Sequence, residues 1–225
     1  MNELLQQLFS LLRTGGGPGL LHQRAVALVQ EIAAGRARFP AVRHPLGFIY
    51  APLFREWPWT LRLHIWLREA PRPQLTTSPI HDHTWELTSF VVCGALENRI
   101  IHVHDVEDPT HRVFEIRGVG GNDMLQPTER LVRFHCSSAE RLLQGDRYVV
   151  AAGQFHFTEV PEGITTATIV LAERKTTAPE RSLGPLHTPE HQMTRADCPP
   201  SELAQAAQTV LLTLVGASTT EGGRR

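Results

Sequence analysis

From about residue 44 to about residue 174 the chain is a run of short β-branched or aromatic stretches. They read "HPLGFIYAPL", "WTLRLHIWL", "ELTSFVVCG", "ENRIIHVHDV", "HRVFEIRGV", "RLVRFH", "RYVVAAG", "FHFTEV" and "TTATIVLAE", each cut off by Gly, Pro or Asp. No helical stripe survives that punctuation. Many short strands at close spacing fold as a sandwich, barrel or jelly roll, architectures whose interiors often hold a ligand. The expected fold is therefore all-β over residues 44–174.

Helices are expected on either side. Leu4, Leu5, Leu8, Leu11 and Leu12 recur at helical spacing and stop at "TGGGPG". Pro18 opens a second stripe of Leu21, Ala25, Leu28 and Ile32, with Gly35 as its terminator. Residues 1–43 thus form a helical N-terminal extension. Residues 175–225 are expected to be an irregular wrapping segment, a helix from about Ser201 and a disordered tail "GASTTEGGRR".

Charge excludes several partners. Lys plus Arg (22) nearly balances Asp plus Glu (23), so no net field draws in nucleic acid or an acidic membrane surface. No stretch approaches the roughly 18 apolar residues of a membrane span, and the acidic start "MNE" makes a poor signal peptide. Cys93, Cys136 and Cys198 are odd in number and widely spread, which fits neither a disulfide framework nor a Cys-based zinc cluster. A cytoplasmic location follows as the expectation.

The chemistry concentrates in histidine. On a strand, side chains alternate, so His81 and His83 point to one face with Asp82 on the other, and two imidazoles can reach one ion. Such a pair recurs at His102 and His104, so by itself it decides little. A second stretch, "GDRYVVAAGQFHFTEV", adds His156 in a glycine-containing turn between strands, where a third imidazole can be presented into a barrel mouth.

These two stretches together resemble the cupin superfamily. Its second motif is matched in spacing by Gly145, Gly153 and His156, with Ala151 where the family has proline and Val160 where it has asparagine. Its first motif is matched by His81, His83 and the closing Gly94, while Leu75 stands at the leading glycine. The motif's acid is displaced, because only Thr84 and Trp85 separate His83 from Glu86. A one-residue shift on a regular strand turns a side chain to the opposite face, whereas a bulge at Thr84-Trp85 would turn it back.

The resemblance implies a cupin jelly-roll barrel holding one divalent metal through His81, His83 and His156, with Glu86 as a ligand or as a partner to one. It implies Fe(II) first, with Mn, Ni, Cu or Zn also suited to imidazole donors. The expected activity is that of a non-haem Fe(II) dioxygenase or oxygenase on a small organic substrate. The alternatives are an isomerase, lyase or hydrolase that uses the metal as Lewis acid, or a non-catalytic binding protein. "SPIHDHT" also resembles the metal strand of thiol dioxygenases, but the late strand "TATIVLAE" lacks the histidine and tyrosine those enzymes carry.

Other residues carry two readings each. Thr60, Arg62, His64 and Trp66 form one face of a strand, either solvated or turned into the cavity, where Arg62 would fork onto a carboxylate. His102 and His104 read as surface or cavity-lining residues, Cys93 as a small buried hydrophobe, and Tyr148 as packing or a proton donor to a bound oxygen species. The partners expected are a small-molecule substrate, carboxylate-bearing if Arg62 faces inward, and a second copy of the chain in a homodimer.

Overall fold

A computed structural model describes residues 2–70, 75, 77–119 and 122–221. The chain order is α1 (Glu3–Thr14), α2 (Pro18–Ala33), β1 (Ala41–His44), β2 (Phe48–Glu56), β3 (Trp59–Trp66), β4 (Trp85–Cys93), β5 (Ala95–Asp105), β6 (His111–Val119) and β7 (Asn122–Leu143). It continues with β8 (Arg147–Val150), β9 (His156–Glu159), β10 (Thr166–Arg174), β11 (Glu180–Pro185), β12 (His191–Thr194), β13 (Ala196–Cys198) and α3 (Pro200–Glu221). Every strand pairing is antiparallel.

The helices start and stop where the local chemistry directs. Asn2 caps α1 by accepting the Leu5 N–H at 2.9 Å, and Gly15 ends it in the left-handed region at φ 72°. Pro18 opens α2, its missing N–H being one that a first turn leaves unpaired anyway.

Strands fall into a seven-stranded sheet, β13-β1-β2-β3-β10-β4-β8, and a six-stranded one built on β11-β6-β7-β5-β9 with β12 paired to β7. Alternation splits the first sheet cleanly. Leu61, Leu63 and Ile65 of β3 join Phe90 and Val92 of β4 and Ile169 and Leu171 of β10 in a core closed over by Leu8, Leu21, Leu28, Leu203 and Val210 of the helices. The opposite face turns toward the second sheet, with Trp85, Leu87 and Val91 packed beside Val170 and Ala172. All three helices therefore lie outside the sandwich, and the interior is left to side chains from strands.

Residues 175–199 are more regular than their composition predicts. Glu180–Pro185 pairs with β6, and the two short strands after it pair with β7 and β1. Propensity is poor there, and tertiary pairing overrides it. The C-terminal helix also runs on through Glu221, where the sequence reads as a disordered tail; the last four residues of that tail lie outside the described residues.

The segment before β4 closes the second sheet. His81 exchanges backbone hydrogen bonds with His156, at 3.0 and 2.8 Å, and forms a second bridge to Ser182 of β11. Ser78 and Asp82 also donate to the carbonyls of Leu183 and Arg181, each at 2.9 Å. Residues 78–82 thus lie between β9 and β11, joining the two ends of that sheet.

Candidate metal centre

Backbone pairing brings the three sequence-separated histidines together. His81 and His156 are held by their mutual hydrogen bonds, and the His83 carbonyl accepts the Gly153 N–H at 2.8 Å. Gly153 makes that turn at φ 76°, a conformation in which a side chain would be strained. The ring centroids stand 4.6 Å apart for His81 and His83, 4.8 Å for His81 and His156, and 5.2 Å for His83 and His156. One ligand atom from each lies within 4.8 Å of the others.

Hydrogen bonding ties up one ring nitrogen on each of His81 and His156. His81 Nδ1 donates to the Pro79 carbonyl at 2.8 Å, and His156 Nδ1 donates to Asn98 Oδ1 at 2.9 Å. Each bond fixes a tautomer in which Nε2 carries a lone pair, the arrangement metal-bound imidazoles adopt. His156 Nε2 and His83 Nδ1 are both buried without a hydrogen-bond partner, a cost that ligation to an ion would remove. Burial pushes all three pKa values down, opposed at His81 by its bond to Pro79 and reinforced at His83 and His156 by neighbouring histidines. Neutral imidazoles are what a metal requires. The residues present fit a transition metal.

Asp82 has a separate task. It is 2% exposed and accepts the Arg181 backbone N–H and the Arg181 Nε, each at 2.7 Å, with Arg181 Nη2 as a further donor. This clamp fixes the stretch between His81 and His83 to β11.

The displaced acid does not join the histidines. Trp85 and Leu87 face the interior, so Glu86 between them projects from the opposite face of β4, beside Glu173 in register and within the field of Lys175. The strand is regular there, and the pleat decides the matter. Tyr148, unlike Glu86, faces the interior in the same cluster as Trp85, Leu87 and Val91, and burial raises its phenol pKa.

Arg62 and His64 share the inner face of β3. The Arg62 guanidinium carbon lies 4.0 Å from the Trp85 ring centroid and 5.6 Å from that of Tyr50. The same Trp85 ring stacks on His83 at 3.7 Å. Arg62 Nε is buried and unpartnered, and burial lowers the guanidinium pKa. His64 packs at 4.7 Å from Phe48, and burial followed by the Arg62 charge takes its pKa down to about 3.

Sequence reading missed Glu180. It accepts Trp85 Nε1 at 2.8 Å and its charge acts on both His81 and Arg62. It sits at the start of β11, in a stretch read as irregular, so no strand alternation was available to aim it.

No protein-family model matches the chain, and no curated protein does. Among solved structures it is similar to the Schizosaccharomyces pombe Cnp3 cupin domain, at 9% identity and a TM-score of 0.33 over 57% of this chain and 61% of that one. It is similar to the polyketide cyclase RemF from Streptomyces resistomycificus, at 15% and 0.36 over 68% and 80% of the two chains. It is similar as well to hydroxypropylphosphonic acid epoxidase from S. wedmorenis, at 14% and 0.34 over 60% and 55%. The match spans less than two thirds of the first and third of these proteins. The chain's own two antiparallel sheets, with helices at both ends, bear out the expected all-β fold with helical extensions. Among the described residues no helix is long and apolar enough to cross a membrane.

Proposed function

We propose that the protein is a mononuclear metal-dependent enzyme of cupin type, an oxygenase acting on a small organic anion. The observation that carries this reading is the pairing of bare imidazole nitrogens on His83 and His156 with Arg62, whose Nε is buried and unpartnered and whose guanidinium meets His83 across one indole ring. An iron(II) ion held by His81, His83 and His156 would supply one-electron chemistry toward dioxygen.

The chain's own residues do the rest. Arg62 binds the anionic group of the substrate, because a buried guanidinium with no direct ion pair, under only the field of Glu180, gains most from a carboxylate that arrives with the ligand. Trp85 sets the distance between that group and His83. Phe48 and Trp66, packed on His64, and Trp85, stacked on His83, keep water from these side chains, which strengthens the charge interactions around them. His64, kept neutral, offers a hydrogen bond without competing for the anion.

Glu86, on the outer side of β4, leaves the triad without a carboxylate among its ligands. A three-histidine donor set supports the redox reading, and the acid-base alternative would assign proton handling to Glu180, whose charge acts on His81 and Arg62. The test is anaerobic purification, loading with Fe(II), and oxygen uptake against a panel of small carboxylates, sulfonates and phosphonates. Uptake coupled to loss of an anionic substrate supports the reading. Turnover that persists without oxygen would replace it with Lewis-acid chemistry, and binding without turnover would leave a carrier.

A further inference from the structure

A second histidine cluster lies on the outer surface of the six-stranded sheet. His102 and His104 occupy alternate positions of β5, and His135 of β7 is the direct cross-strand partner of His102. Their ring centroids are 5.9, 5.1 and 5.5 Å apart, and one ligand atom from each lies within 4.8 Å of the others. The intervening Val103 and the neighbouring Ile101 belong to an interior cluster with Val132 and Phe155, so all three imidazoles point outward. His102 and His135 are exposed, whereas His104 is half-buried with its Nδ1 buried and unpartnered.

We infer that His102, His104 and His135 form a second, solvent-facing metal site that takes a late first-row divalent ion such as Zn(II). Geometry and donor chemistry both lead there. Directly opposed and diagonal positions on one face of an antiparallel pair put long side chains within reach of a common point. Three imidazoles with no carboxylate suit Zn, Cu or Ni and reject Mg and Ca, which demand oxygen. The neighbouring acid Asp105 pairs with Arg130 at the surface and its charge is felt by His104, which favours a cation at this cluster. Water completes the coordination on the open side.

The outer cluster differs from the inner one in its support. His81 and His156 have their far nitrogens tied to Pro79 and Asn98, while His104 has no such partner. Missing outer support of this kind typically costs metal affinity on the order of 10-fold to 100-fold. The outer ion is accordingly the one that exchanges first.

Full-length protein as purified is dialysed to equilibrium against Zn(II), and its total metal is measured per chain in the wild type and in His102→Gln/His135→Gln. Both substituted side chains are exposed, so circular dichroism and the unfolding midpoint are expected to stay unchanged; His104→Gln serves as an independent second variant. The expected result is about two ions per chain in the wild type and about one in either variant. One ion in the wild type that vanishes in the variants also sustains this site, and overturns the inner one instead. Equal metal content in wild type and variants, at one ion or at two, overturns the inference.

Discussion

Asp82 and Arg181 form a nearly buried ion pair between the strand segment that carries two candidate ligands and the strand beside it. The carboxylate side chain is 3% exposed and the guanidinium 33%. Removing one member of such a pair strands the other, which is where the cost arises. Arg181→Ala is expected to lower the unfolding free energy by about 3 kcal/mol or more, read by urea titration, and to loosen the positions of His81 and His83. A variant as stable as the wild type would mean that water replaces the arginine without loss.

Asn98 holds His156 by a single bond to its ring. Asn98→Leu keeps the volume and removes the acceptor, so His156 loses its fixed tautomer. Metal affinity is expected to fall on the order of 10-fold to 100-fold, measured by competition with a chromophoric chelator. His156→Ala and His81→Ala are expected to empty the inner site altogether.

Glu86→Gln tests the pleat. Since the side chain leaves β4 on the face away from the histidines, metal affinity and turnover are expected to match the wild type. A drop in affinity beyond about 10-fold would require the strand to bulge at Thr84 and Trp85 in solution.

Arg62→Met is expected to separate stability from function. Burial of this cation is a standing cost that Trp85, Tyr50 and the Glu180 field offset only in part, and apolar replacement of buried charge commonly stabilises by about 1–4 kcal/mol. The variant should therefore unfold at higher urea while losing affinity for anionic ligands. Raised stability with unchanged ligand binding would remove Arg62 from the site.

His64 gives a pH signature. Its pKa is lowered in the folded chain to about 3, so between there and its ordinary value near 6.5 the unfolded chain binds the extra proton. Stability from this group is complete above pH 6.5 and is lost as pH falls, at up to about 1.4 kcal/mol per pH unit. Urea titrations at pH 7.5 and 5 should show a smaller difference in His64→Phe than in the wild type. An equal difference in both would place the titrating histidine elsewhere.

The inner triad was legible because spacing is written in the chain: His81 and His83 alternate, and Gly145, Gly153 and His156 keep a register. The fate of Glu86 was legible only as a choice, since a bulge and a regular strand read alike from the residue order. Arg62 and His64 presented a polar face that water or a cavity would equally explain, and only the position of the helices against Leu61, Leu63 and Ile65 decides it. His135 was invisible as a partner of His102, because cross-strand register between distant segments leaves no local mark. The strands after Pro179 were missed for a related reason: "ERSLGP" has no β pattern and is extended because β6 lies beside it.

Residues 78–82 carry His81 and also cover the free sides of β9 and β11. An ion that grips this segment would therefore reinforce the Asp82–Arg181 clamp as a latch on two strand edges, and stripping it would make transient release of rows of N–H and C=O groups, able to template another chain, more frequent. Chelation should then show itself as self-association before unfolding, with the sheet intact and its boundary open.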